Sequence, residues 1–379
     1  MHRKTASVVA LSLCLPLIAL SGCDEGRGRD TDIYGQGGDD GTEPPQEEIP
    51  EPPEELAEMF SIAGEEFDVP ATILSAIAHV ETGWQMVQGS TEFDGQEIAT
   101  GLMALRGPNL SEGAMLAGVS ISSASTDPMD NIRAAAALLS AMADEHGLQD
   151  RGDLGSWAPV LAEYSGIASQ EGIDAYVEEE VLPMAIGSVG IEVGDEPMAV
   201  DSGSGAPTTA VEAGPDYAKS IWRPSPNNSA RPGGATGDPS IVIIHTCEGS
   251  YAGCWSWLKN ANSGVSAHYV VNNTGSEITQ LVREDRKAWH IAAAYNCQLN
   301  SSTDCNKSGS STNNFSIGIE HAGYANQNSW DGGLIDASAE LVCDITQDQG
   351  IPQDRYHIVG HGQLQPYNRV DPGPKWPWQ

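Results

Sequence analysis

The sequence predicts a multidomain protein with an all-α unit over residues 55–190, followed by an α/β unit over 216–379 whose central mixed β-sheet is covered by helices. Three observations carry this. The 379 residues exceed what one hydrophobic core organises. Apolar side chains in the first stretch recur at helical spacing, whereas the second alternates short β-branched runs with helical ones. Between them, residues 191–215 are rich in Gly, Ser, Pro and Thr and poor in large apolar residues, which is linker composition and predicts two units that act independently.

The helical unit reads from LAEMFSIAGEEF, ILSAIAHVE and NIRAAAALLSAMA. Pro70 and Asp127-Pro128 supply helix starts, because the fixed φ of proline suits a first helical turn. In the second unit SIVIIHT, SAHYVVNN, EITQLV, SIGIEHA and YHIVGH are strand-like, while WSWLKN and DASAELVCDITQDQG read as helices. Strands interleaved with helices, some joined by a tight Asn-Asn-Thr-Gly turn, indicate a mixed sheet.

The N-terminus opens Met1-His2-Arg3-Lys4, continues with an apolar run over 6–19 and closes on Leu20-Ser21-Gly22-Cys23. This charged, apolar, small order is that of a secretory signal, and the apolar run is too short for a mature membrane helix. Small residues before a cysteine resemble a bacterial lipobox. That resemblance implies a signal peptide over 1–22, a lipid anchor at Cys23 and an exported protein held on a bacterial membrane, periplasmic or at the cell surface. Residues 23–54 are acidic and almost free of apolar side chains, so they form a solvated tether. The formal net charge of -35 argues against nucleic acid as a partner, since clustered positive charge is what binds polyanions.

Beyond Cys14 and Cys23 every cysteine lies in the second unit, from Cys247 onward. Cys247 with Cys254, and Cys297 with Cys305, each enclose a short loop and fit disulfides of an oxidising compartment; their spacings are not those of paired metal knuckles.

Six of the nine histidines fall between His245 and His361, several at strand ends, where a rigid sheet aims side chains at one point. His245 ends the run Ile241-Val242-Ile243-Ile244, His361 ends His357-Ile358-Val359-Gly360, and Asp371 follows in Val370-Asp371-Pro372-Gly373. Two imidazoles and one carboxylate leave a fourth tetrahedral position for water, the arrangement of a catalytic Zn2+.

The stretches IVIIHT, VSAHYVV, SIGIEHAG, IVGHG and DPGPKW occur in the order seen in the peptidoglycan amidases related to phage amidase-lysozymes and animal peptidoglycan-recognition proteins, and the chain resembles that family from Tyr217 onward. The resemblance implies zinc bound by His245, His361 and Asp371, Glu320 as the catalytic carboxylate, and peptidoglycan, both glycan strand and stem peptide, as partner. The reaction it implies is cleavage of the bond between N-acetylmuramic acid and L-alanine. Glu320 sits in the apolar strand SIGIE, where a carboxylate is costly without a task or a partner, a salt bridge being the alternative. Arg369 stands two residues before Asp371, where relatives place a polar group assisting the oxyanion. His357 reads as a structural histidine, His268 and His290 as substrate contacts or packing, and His321 as facing away from Glu320.

Residues 56–170 more loosely resemble the lysozyme-like fold of lytic transglycosylases, through IAHVETGW, GLMAL and AEYSG. That resemblance places Glu81 as a general acid and Tyr164 in the cleft. Ala104 and Ser165 depart from the family's polar residues, which favours a domain that holds glycan without cutting it. The alternatives are a bifunctional enzyme that also cleaves glycan through Glu81, and a recognition lipoprotein without activity. The intact set His245, His361 and Asp371 speaks against the latter.

Overall fold

The computed structural model describes residues 49–90, 92–93, 96–188 and 214–378. The signal-like segment, Cys23, most of the acidic tether and most of the linker lie outside these residues.

The helical half comprises α1 (Glu54–Phe67), α2 (Ala71–Thr82), α3 (Gly107–Leu116), α4 (Ile121–Thr126), α5 (Pro128–Glu145), α6 (Ala158–Ser165), α7 (Gln170–Asp174) and, after a π-helical stretch Ala175–Val181, α8 (Leu182–Gly187). Both expected proline starts hold: α2 follows Pro70, and α5 opens on Pro128 with the Asp127 carboxylate accepting from the Asp130 amide. The alanine-rich α5 is the hub, packed by α1, α3, α4 and α6. A small antiparallel sheet is added to this half: β1 (Val87–Gln88), β2 (Ala99–Gly101) and β3 (Leu105–Arg106). Strands of two or three residues are too short to display an alternation.

The second half contains β4 (Ile221–Trp222), β5 (Asn228–Ala230), β6 (Ile241–Ile244), α9 (Tyr251–Lys259), β7 (Tyr269–Val271), β8 (Ile278–Gln280), β9 (Arg286–Ala288), β10 (Ser316–His321), α10 (Gly332–Gln349), β11 (Ile358–Gly360) and α11 (His361–Leu364). The main sheet runs β11-β6-β10-β7-β8-β4. Its β11, β6, β10 and β7 are parallel, β8 is antiparallel to β7, and β4 is parallel to β8, the mixed sheet expected. Val242, Ile244, Ile317 and Ile319 pack on Leu334, Leu341 and Ile345 of α10. Ile241, Ile243, Phe315 and Val359 pack on the other face with Ile291 and Tyr295. Both faces are covered, which is why β6 is an unbroken apolar run.

The expectation of two independent units does not hold. One buried cluster contains Ile77, Leu161 and Tyr176 of the helical half together with Tyr251, Trp255, Leu258 and Val282 of the other. Helix α7 packs on α9, where Lys259 Nζ meets Glu171 Oε2 at 2.5 Å. A flexible connection decouples two units only if the surfaces facing each other are polar; here they are apolar and share a core.

Candidate functional site

Three neighbouring parallel strands end at the site. Their register pairs Gly360 with Ile244 and Ile244 with Ile319. The next row therefore holds His361, His245 and Glu320 side by side, on the face opposite α10 because side chains alternate along a strand. Asp371 comes from the C-terminal segment, held by the Gly362 amide donating to its carbonyl at 2.9 Å. Gly360 makes that approach possible, since a β-carbon there would stand 2.7 Å from Pro372 Cδ.

Asp371 Oδ2 lies 3.3 Å from His245 Nδ1 and 3.3 Å from His361 Nδ1. Glu320 Oε1 is 3.9 Å from His245 Nδ1. A fourth group was not expected from the sequence: Glu92, from the connection between β1 and β2 in the helical half, brings Oε1 to 3.3 Å from His361 Nδ1 and 3.9 Å from His245 Nδ1. The two Nδ1 atoms and both Asp371 carboxylate oxygens are buried without a hydrogen bond. Buried polar atoms are nearly always paired, so a cluster of unpaired ones marks a place for a cation. An ion held tetrahedrally at about 2.1 Å sets its ligand atoms about 3.4 Å apart, so the spacing and the donor set fit zinc.

The electrostatics agree. Burial alone lowers the proton affinity of His245, but Glu320, Asp371 and Glu92 outweigh it and push its pKa up to about 10; His361 is also raised, against burial and the charge of His245. Burial works to raise the Asp371 carboxyl, yet its contacts with the two imidazoles hold it well below the usual range. Glu320 goes the other way, up to about 8, because burial dominates and Glu92 and Asp371 add their negative charge. Protons thus stand in the cluster where a cation would replace them.

A second layer fixes the imidazoles. His290 Nε2 lies 3.0 Å from Ser316 Oγ, whose hydroxyl donates to the Thr312 carbonyl, while His290 Nδ1 is 2.9 Å from His245 Nε2. Burial and the neighbouring His245 hold His290 neutral, so its Nε2 donates to Ser316 and its Nδ1 accepts from His245. This order leaves Nδ1 of His245 turned to the cluster. Gly318 provides the space, as a β-carbon there would meet His290 Nδ1 at 2.4 Å. His361 Nε2 is similarly engaged by Gln365 Oε1 at 3.2 Å. His268 accepts from the Gly318 amide and lies against the Arg286 carbonyl, a packing role, and His321 bonds the His245 carbonyl and Ser338 on α10. His357 pairs with Asp354 instead of the cluster. Arg369 grips Glu92, with Nε 3.3 Å from Oε2 and a second guanidinium nitrogen donating to the Glu92 carbonyl at 3.0 Å.

The two expected disulfides, Cys247–Cys254 and Cys297–Cys305, are formed. The sulfurs of the first lie near the Glu320 carboxylate, but as a disulfide they are not thiolate ligands.

A separate cleft of about 330 Å³ surrounds Glu81, lined by Arg106, Ser165 and Gln96 of the helical half and by Glu248, Ser250 and Trp257 of the other. Glu81 Oε2 has no hydrogen bond and lies 3.6 Å from Arg106. Burial raises the Glu81 pKa, against the pull of Arg106. The Tyr164 hydroxyl is buried and donates to the Met103 carbonyl at 2.7 Å.

N-acetylmuramoyl-L-alanine amidase A of Achromobacter lyticus is 35% identical over 181 residues, covering 43% of this chain and 91% of that protein. The chain belongs to the N-acetylmuramoyl-L-alanine amidase family. Its family model matches residues 235–374, a range holding His245, Glu320, His361, Arg369 and Asp371. A second model, the transglycosylase SLT domain, matches residues 58–171, which hold Glu81 and Glu92. A further amidase relative, the 1,6-anhydro-N-acetylmuramyl-L-alanine amidase AmpD of Escherichia coli, is 27% identical over 175 residues, covering 41% of this chain and 86% of that protein. Among solved structures, a selenomethionine derivative of AmpD aligns with 43% of this chain and 92% of its own at 26% identity and a TM-score of 0.35.

Of the residues singled out from the sequence, His245, Glu320, His361 and Asp371 meet in the buried cluster and Arg369 reaches it through Glu92, whereas His268 bonds backbone groups instead. Glu92 was missed because it sits in Ser90-Thr91-Glu92-Phe93-Asp94-Gly95, a polar connection with no periodicity, in the half read as separate from the amidase chemistry. His290 was left undecided because only folding brings it to His245.

Proposed function

We propose that the protein is a zinc-dependent N-acetylmuramoyl-L-alanine amidase that hydrolyses the amide between N-acetylmuramic acid and L-alanine in bacterial peptidoglycan. The observation that carries this reading is the convergence of His245 Nδ1, His361 Nδ1 and the Asp371 carboxylate, buried and without hydrogen bonds, beside the buried Glu320. In it, His245, His361 and Asp371 hold the zinc. When bound, zinc acidifies a water and polarises the scissile carbonyl. Glu320 takes up the proton released and delivers it to the leaving amine, a role that its buried carboxylate, 3.9 Å from His245 Nδ1, is placed to fill. Arg369 offers positive charge to the developing oxyanion. Export and a lipid anchor at Cys23 belong to the same proposal, since they bring the chain to its polymer.

The test is mass analysis of digests of purified peptidoglycan. Free stem peptides released by the parent, lost on chelation and restored by zinc, are expected, with His245→Ala inactive and His357→Ala keeping its metal. Full release after verified metal removal would overturn the mechanism.

A second reading concerns the helical half, where the Glu81 cleft and the SLT match favour contact with the glycan strand. We read it as holding glycan. Anhydro sugar ends that vanish in Glu81→Gln would instead make the protein bifunctional.

A further inference from the structure

We infer that Glu92 is a fourth protein ligand of the metal centre, supplied by the helical half, and that it keeps the centre closed in this conformation. The inference rests on the metal centre proposed above. A buried carboxylate is costly unless charges and hydrogen-bond donors surround it. The Glu92 side chain is 3% exposed, and its surroundings are the centre itself: His361 Nδ1 at 3.3 Å, His245 Nδ1 at 3.9 Å and Arg369 Nε at 3.3 Å. With Glu92 included, the separations from Asp371 to each imidazole and from Glu92 to His361 are 3.3 Å and that from Glu92 to His245 is 3.9 Å, close to the edge of about 3.4 Å expected for ligands set tetrahedrally about one ion.

The carboxylate is also held in place from outside the cluster. Ser90, two residues before it, donates its amide to Glu248 Oε2 at 2.6 Å, and Glu248 Oε1 accepts from the Ala325 amide beyond β10. Gln85 bonds the backbone of Asn328 and Ser329. These contacts fix the chain on both sides of β1 to the segment following β10, so Glu92 is delivered by docking of the two halves.

The chemical consequence follows from coordination. Three protein ligands leave an open position and make a hydrolytic centre, whereas four make a structural one. Glu92 fills that position with Oε1 and engages Arg369 with Oε2, so one side chain occupies both electrophilic groups that the reaction needs. Hydrolysis requires Glu92 to withdraw, and peptidoglycan entering the cleft competes with it for both.

The experiment uses the full chain loaded with Co2+ in place of zinc, with acetohydroxamate as a probe of the open position. The parent's visible spectrum is expected to stay unchanged on adding the probe, whereas Glu92→Gln and Glu92→Asp shift, the shorter Asp not reaching the ion. Zinc affinity, read by competition with a chromophoric chelator, is expected to fall at least tenfold in both variants and to stay level in Glu97→Gln, an exposed carboxylate on the same connection. Parent spectra that respond to the probe as readily as the variants, or variant affinities within twofold of the parent, overturn the inference. The parent spectrum settles the point even where a variant fails to fold. A parent that binds no metal at all is a different result, which sinks the proposed metal centre itself.

Discussion

His290 Nδ1 accepts from His245 Nε2 across 2.9 Å, and through Ser316 it ties the orientation of a candidate metal ligand to the backbone at Thr312. Partners of this kind typically contribute about ten- to a hundredfold in metal affinity. His290→Phe, which keeps ring volume and removes the acceptor, is expected to bind zinc at least tenfold more weakly with its melting temperature little changed. Chelator competition measures this, and unchanged affinity returns His290 to packing.

Glu320→Gln is expected to keep the metal and the fold while losing turnover by about a hundred- to ten-thousandfold, because an amide occupies the same space and cannot carry a proton. Its buried oxygens have no hydrogen-bond partner to lose. Metal content by mass spectrometry together with peptide release checks both halves of the statement. A variant within a few-fold of the parent removes Glu320 from the proton path.

Acid stability should depend on His79. Burial lowers its pKa to about 4, against a small opposing pull from Asp331, and its ring lies 4.4 Å from that of Trp84. The unfolded chain takes up this proton near pH 6.5 and the folded chain only near 4, so between those values the unfolded state binds more protons. The stability is therefore full above pH 6.5 and falls as the pH drops toward 4, by up to about 1.4 kcal/mol per unit. Urea midpoints at pH 7 and pH 5 for the parent and His79→Phe test this: the difference between them should be smaller in the variant.

The shared core predicts that cutting the connection does not part the halves. With a protease site placed within 195–210, the two fragments are expected to co-elute in size exclusion after cleavage, because Tyr176 and Trp255 belong to one buried cluster. Separate elution of folded fragments would restore the picture of independent units.

The fold class was legible because its signals are local. Pro70 and Pro128 mark helix starts, and the apolar run Ile241–Ile244 announces a strand covered on both faces. The row of His245, Glu320 and His361 was legible because each sits at or next to the end of such a run. The docking of the halves was not, since apolar residues such as Trp255 and Leu258 on α9 look the same in sequence whether they face their own sheet or another unit. Glu92 and His290 stayed hidden for the same reason: their meaning lies in partners far away along the chain.

The disulfide-bonded loop at Cys247–Cys254 lines the Glu81 cleft with both cysteines, and its sulfurs lie near the Glu320 carboxylate. It is a party wall: a substitution that moves this loop away from the Glu81 cleft presses it toward the Glu320 carboxylate, so the two sites cannot be reshaped independently there.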